Sequence, residues 1–408
     1  MDLFTHTLPN GIRLVHYRVK SPVGHCGLLV NTGSRDEDEH EHGMAHFIEH
    51  VIFKGTRKRK TWHVLSRLDD VGGELNAYTS KEETAIYASF LLQDAERALE
   101  LLHDITFHSV FPEKEMKKEK EVIIDEINSY KDNPAELILD DFEELVFDGG
   151  PMGHNILGTA ETVRKFKRDD VLHFMQNNYH TDQMVLCMVG DMDSRRLLKT
   201  VQKYFGEETP NYRGYKRPPV PVYQPSTIRK ELDTFQSHIA VGNLAYDLED
   251  SRRLGLSLLN NLLGGPGMNS RLNMALREKS GIAYNIEAIY TPYFGTGVFN
   301  LYFGTDGQNI DRSLRIIRRE LARLRDQKLG QMQLHKARRQ LKGQITIAAE
   351  NRENLMLNIG KSYMLYNKVD SLEDIYRKID SFSASDLLEI ANEIFDEQKL
   401  SYLIYEQS

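Results

Sequence analysis

The sequence predicts an α+β protein built by tandem duplication of one α+β unit, and three observations predict it. Strand-like and helix-like periodicities alternate in the same order in both halves of the 408-residue chain. Between 205 and 226 lie Pro210, Pro218, Pro219, Pro221 and Pro225, five of the twelve prolines. That stretch suits neither helix nor central strand and reads as an extended linker. Short runs also recur at matching places. Leu68-Asp69-Asp70-Val71-Gly72-Gly73 echoes Leu276-Arg277-Glu278-Lys279-Ser280-Gly281, each followed by a strand signal. Glu96-Arg97-Ala98-Leu99-Glu100-Leu101-Leu102 echoes Asp311-Arg312-Ser313-Leu314-Arg315-Ile316-Ile317, each leading into a second long amphipathic helix. The expected domains are 1–208 and 227–408, joined by a linker at 209–226.

In the first half, 12–17 and 24–31 are strand-like, and an apolar helix carrying two histidines follows at 45–53. A further strand is expected at 84–91, then helices at 94–107, 113–131 and 135–146. The half closes with an apolar strand at 183–189, ended by Gly190-Asp191. In the second half, 237–243, 283–290 and 297–303 are strand-like, with helices at 310–325, 329–348 and 351–365.

With 40% hydrophobic and 27% charged residues, the composition is that of an ordinary globular protein. No run of 18 or more apolar residues occurs, so no membrane span is expected. A net charge of −8 without a basic stripe argues against nucleic-acid binding. The run Lys54-Gly55-Thr56-Arg57-Lys58-Arg59-Lys60 reads as a solvated loop. The start of the chain, Met1 to Gly11, resembles neither a signal peptide nor an Arg-rich transit peptide. Cys26 and Cys187 both fall in apolar strand-like runs and are expected to be reduced and buried, so the expected address is cytoplasmic.

The chemistry concentrates at His46-Phe47-Ile48-Glu49-His50. On a helix, His46 and His50 project from one face and can reach a single metal ion. Glu49 then sits beside the metal, placed as a general base for water. This is the inverse of H-E-x-x-H, the inverzincin order. The surrounding Met44, Ala45, Phe47, Ile48, Val51 and Ile52 are apolar, and three polar groups crowded among them without partners would cost several kcal/mol.

A third ligand follows from the helix expected at 113–131. At about 100° per residue, Met116, Glu119, Ile123, Glu126, Ile127 and Tyr130 share one stripe. Glu121, Asp125, Lys114, Lys117 and Lys118 fall on the far side. Glu119 and Glu126 are thus carboxylates on an apolar face, which a cation would satisfy. The alternative is Arg or Lys from another element.

The run from Gly43 to Thr56, with 75 residues between its second histidine, His50, and Glu126 in Val122-Ile123-Ile124-Asp125-Glu126-Ile127, resembles the pitrilysin, insulysin and mitochondrial processing peptidase family. The likeness covers essentially the whole chain and is closest to the short bacterial members. It implies two homologous α/β-sandwich domains facing each other as a clamshell. It also implies one Zn²⁺ per chain on His46, His50 and Glu126, with Glu49 as general base and Glu119 as an assisting carboxylate. At the corresponding positions the second half carries Leu254, Leu258 and Gln344, so it is expected to bind no metal.

The resemblance gives the second half a different part. It implies that Arg277 holds a substrate carbonyl and that Tyr284 stabilises the oxyanion. By themselves the two residues suit a helix-end Arg capping carbonyls and a Tyr in the core equally well. It likewise implies that Asn76 and Ala77 bind an extended peptide at a sheet edge, where a buried strand with a polar turn is the alternative.

Two functions remain in view. One is a zinc endopeptidase that hydrolyses short or unfolded peptides with metal-activated water. The other is a non-catalytic binding or assembly subunit, since related chains serve that way after losing ligands. All of His46, Glu49, His50, Glu126, Arg277 and Tyr284 are present, which favours the enzyme. It also favours a homodimer over a heterodimer with a related chain.

Overall fold

Eleven strands form two sheets among the residues that the computed structural model describes, 2–147, 150–220 and 222–408. Met1 and Pro221, both part of the sequence reading, lie outside the described residues. The strands are β1 (Leu3–Thr7), β2 (Arg13–Tyr17), β3 (Val23–Val30), β4 (Glu74–Thr79), β5 (Thr84–Leu91) and β6 (Met184–Val189), then β7 (Thr227–Leu232), β8 (Ser237–Leu244), β9 (Ala283–Tyr293), β10 (Thr296–Thr305) and β11 (Ser401–Gln407). The helices of the first half are α1 (Met44–Val51), α2 (Thr61–Asp69), α3 (Ala95–Phe107), α4 (Glu113–Lys131), α5 (Pro134–Val146), α6 (Ala160–Lys165), α7 (Arg168–Asn178) and α8 (Ser194–Phe205). The second half adds α9 (Arg253–Gly264), α10 (Ile310–Asp326), α11 (Gln331–Ala348), α12 (Arg352–Tyr366), α13 (Leu372–Ser381) and α14 (Ala384–Ile394).

The duplication is written in the strand order. The first sheet runs β1-β2-β6-β3-β5-β4 and the second β7-β11-β8-β10-β9. In the first, β2 and β6 are parallel and each later neighbour pair is antiparallel. The second repeats that pattern, with β7 parallel to β11 and antiparallel pairs thereafter. Apart from the extra β1, the sheets match strand for strand. The echoed Gly72 and Gly281 both have positive φ, +72° and +62°, and each precedes the strand that ends its sheet.

The expected helix 113–131 and strand 84–91 form to the residue, as α4 and β5. β1, β7 and β11 carried no expectation. β7 is exposed along nearly its whole length and so offers no hydrophobic period to read.

Packing divides the chain at Arg217/Pro218, inside the proline-rich stretch, but the two compact units are not the two halves. One comprises Met1–Ile127, Ile156–Arg217 and Ile347–Ser371, and the other Asn128–Asn155, Pro218–Thr346 and Leu372–Ser408. The equivalent helices α5 and α12 are exchanged. α12 buries Met356, Ile359 and Met364 against Val15, Leu29, Val185 and Cys187 of the first sheet. Gly360 permits this approach, because a Cβ there would lie 2.6 Å from Leu29 Cδ1. α5 buries Ile138, Phe142 and Val146 against Ala240, Val298, Leu403 and Tyr405 of the second sheet. At about 1.5–3 kcal/mol per buried side chain, each exchanged helix contributes on the scale of a domain's net stability. Periodicity marks an apolar helix face without saying which sheet will cover it, which is why the linear division at 209–226 misses the exchange.

Cys26 on β3 and Cys187 on β6 are buried and free, and burial pushes both thiols up. Among the described residues, no helix is long and apolar enough to cross a membrane.

Candidate metal centre

α1 begins at a tightly constrained corner. Gly43 has φ +93°, and a Cβ there would meet Leu157 O at 2.7 Å, so the position demands glycine. The buried Glu37 carboxylate accepts the backbone N–H groups of Gly43 and Ala45, both at 2.8 Å, and caps the helix start. Burial raises the Glu37 carboxyl well above its usual range in spite of those two donors. The sequence reading passed over Glu37, because a carboxylate six residues before a helix carries no periodic signal.

Met44, Ala45, Phe47, Ile48 and Val51 anchor α1 in the core. His46 and His50 lie one turn apart and meet edge to face, with ring centroids separated by 4.7 Å. α4 delivers the third group. Glu126 Oε2 lies 3.4 Å from His50 Nε2 and 3.7 Å from His46 Nε2. One donor atom from each of the three lies within 4.8 Å of the others. The stripe expected on α4 forms, with Met116, Glu119, Ile123 and Ile127 buried, while Lys114, Lys117, Lys118, Glu121 and Asp125 are exposed. Glu119 stands behind the cluster. Its Oε2 is 3.3 Å from His50 Nδ1, and its Oε1 pairs with Lys54 Nζ at 2.7 Å. Of the two explanations weighed for the striped carboxylates, the lysine applies to Glu119, while Glu126 faces the two histidines.

The electrostatics fit a cation. Burial and the neighbouring His50 push His46 down to about 4, so it is a neutral imidazole at pH 7. Burial opposes protonation of His50 too, but Glu126 and Glu119 outweigh it and hold its pKa up. The His50 hydrogen bond lowers Glu126, keeping it ionised. His46 Nδ1 is buried without a hydrogen bond. Two imidazoles and a converging carboxylate are a donor set suited to zinc, and an imidazole backed by a carboxylate is the usual supporting arrangement. Glu49 projects beside the group without joining it. Burial raises its carboxyl, against hydrogen bonds from the side chain and backbone of Thr79 on β4. A carboxylate with a raised pKa, adjacent to the donors, can accept and return a proton.

Asn76 is exposed and Ala77 half-buried on β4, which ends the first sheet and pairs only with β5. The strand is neither buried nor covered on its outer side within the sheet.

Arg277 and Tyr284 belong to the second unit. Arg277 lies in a π-helical turn, Asn273–Glu278, and its side chain is half exposed, 3.8 Å from Glu278. Tyr284 is 63% exposed, so it is not a core tyrosine. It precedes a β-bulge at which β9 slips register against β10 between Tyr302 and Gly304, with Asn285 at φ +49°. Bulges re-aim side chains next to sites, and this one sits beside an exposed Tyr. Arg277 also lines a pocket of about 500 Å³ with Gly264, Gly265, Met268, Asn285 and Glu287. The sequence reading missed this glycine-rich wall.

A family model described as insulinase (peptidase family M16) matches residues 14–160, and one described as peptidase M16 inactive domain matches 165–341. The zinc protease YmxG of Bacillus subtilis is 31% identical over 404 residues, covering 98% of this chain and 97% of its own. The mitochondrial-processing peptidase subunit beta of Saccharomyces cerevisiae is 28% identical over 404 residues, covering 95% and 87%. A solved peptidase M16 inactive domain from Pseudomonas fluorescens superposes with a TM-score of 0.93 at 18% identity, covering 100% of this chain and 98% of that one. With two matched domains, full-length relatives and the duplicated fold in agreement, this chain is a short two-domain member of the M16 peptidase family.

Proposed function

We propose that the protein is a zinc-dependent endopeptidase acting on short or unfolded peptides. The observation that carries the reading is the convergence of His46, His50 and Glu126 with Glu49 held beside them and off the donor set. His46, His50 and Glu126 hold the zinc ion, which when bound supplies Lewis acidity toward a carbonyl and toward water. Glu49 takes the proton from the attacking water and passes it to the leaving amine. Glu119, tied to Lys54, fixes the His50 ring through Nδ1. Asn76 and Ala77 receive an extended peptide along the β4 edge, where main-chain hydrogen bonds give sequence-tolerant affinity. Arg277 and Tyr284 of the second unit, both exposed, are assigned as carbonyl and oxyanion donors. Peptides are the partners of this reading, with the chain acting in the cytoplasm as a homodimer.

The test is cleavage of an unstructured peptide library by the purified chain, with metal content measured in parallel. Chelation should stop cleavage and zinc should restore it. Glu49→Gln should keep its zinc and lose about 10²–10⁴-fold or more in kcat. Full activity in that variant would move the base elsewhere, with Glu119 the next candidate. Zinc retained by the unaltered chain without any cleavage would favour a binding or assembly subunit.

A further inference from the structure

A second group of two histidines and a glutamate lies in the first unit, away from α1. His103 and His108 come from the C-terminal end of α3, and Glu208 follows α8. Glu208 Oε1 is 2.7 Å from His103 Nε2 and 3.9 Å from His108 Nε2. One donor atom from each lies within 4.8 Å of the others. Ligand atoms in a tetrahedral zinc site stand roughly 3.3 Å apart, inside that range.

The surroundings repeat those of the first cluster. His108 Nδ1 faces Asp104 Oδ1 at 3.4 Å, as His50 Nδ1 faces Glu119 Oε2 at 3.3 Å. Asp104 is fully buried and is paired with Arg59, as Glu119 is paired with Lys54. Thr56 Oγ1 adds a further donor to Asp104 at 2.7 Å. His108 Nδ1 and Asp104 Oδ1 are not aligned for a hydrogen bond, and both atoms are buried without one. Such atoms are costly to leave unsatisfied. A ring ligating through Nε2 must carry its proton on Nδ1, on the side of Asp104 Oδ1, and a small turn of the ring would pair the two atoms. His103 is 7% exposed, walled by the rings of Phe107 and Phe205. Glu208 also borders a pocket of about 240 Å³ with Ser109 and Tyr179, which gives water a way in. Burial lowers the His108 pKa, and the His103 hydrogen bond lowers that of Glu208. Neutral imidazole and ionised carboxylate are the ligating forms. Arg57 is exposed, so its opposing charge is screened by solvent.

We propose that His103, His108 and Glu208 bind a second divalent cation, zinc by the chemistry of the donor set. The site is structural: it ties the end of α3 to the segment leaving α8. Asp104 holds Arg59 and Thr56 through Oδ2 and turns Oδ1 to the His108 ring, so its part is to orient that ring.

The experiment measures zinc bound to the full chain after saturation and removal of excess. The unaltered protein should hold two equivalents, His50→Ala one, and His50→Ala combined with Glu208→Gln none. Glu208→Gln keeps an acceptor for His103 and so preserves the local fold, and His108→Asn provides an independent removal. Added zinc should raise the Tm of His50→Ala and leave that of the double variants unchanged. The proposal is overturned if His50→Ala holds no zinc, or if its remaining zinc survives both Glu208→Gln and His108→Asn. Because these measurements are made with the first cluster disabled and read metal rather than cleavage, they stand or fall separately from the peptidase reading.

Discussion

The clusters at α1 and at the end of α3 contain the same three donor types, each with a carboxylate behind one imidazole and a basic side chain behind that carboxylate. They part at the next residue out. Beside the first stands Glu49, half-buried, outside the donor set, with its pKa raised by burial. Beside the second, the nearby acid is Asp104, fully buried and committed to Arg59 and Thr56. The donors determine whether a cation can be held, while a further carboxylate next to them with a raised pKa determines whether water can be deprotonated there. On the proposed reading, hydrolytic chemistry belongs to the first cluster alone.

The largest effect that could break this comparison is loss of a ligand. His50→Ala should remove one zinc equivalent and all measurable peptide cleavage, whereas His108→Ala should remove the other equivalent and leave kcat/KM within about twofold. Metal content and turnover measured on the same samples decide the matter, and cleavage lost in both variants would make the second cluster part of the catalytic apparatus. Next in size is Tyr284→Phe, expected to lower kcat by roughly ten- to a thousandfold at unchanged zinc content, the range for one lost oxyanion donor. Unchanged kcat with a lowered Tm would give Tyr284 a structural part instead. The smallest effect concerns the supporting carboxylate. Glu119→Gln should weaken zinc binding at the first cluster by about 10–100-fold, measured by chelator competition, and leave the second cluster's affinity as it was.

Much of the first cluster was legible because it lies on two helices whose spacing exposes it. The four-residue interval from His46 to His50, and the placement of Glu119 and Glu126 on the stripe of α4, are local properties that helix geometry turns into position. The second cluster had no such signature. His103 and His108 are five apart across a helix end, and Glu208 arrives from a hundred residues later, so only tertiary packing of α3 with α8 unites them. Glu37 escaped notice for the same reason. The duplication of the unit follows from the repeated pattern of signals, but the strand order and the exchange of α5 and α12 depend on which surface each element meets.

That exchange sets a timetable for synthesis. The last strand of the first sheet, β6, ends at Val189, but the helix that covers its apolar face ends at Tyr366. At a ribosome's pace of about 5–20 residues per second, the nascent sheet waits on the order of ten to thirty-five seconds with Leu29, Val185 and Cys187 lacking their cover. Within that window the emerging chain is a client for chaperones. A message cut short after the proline-rich stretch would yield His46, His50 and Glu126 on a sheet with one naked face, prone to aggregate.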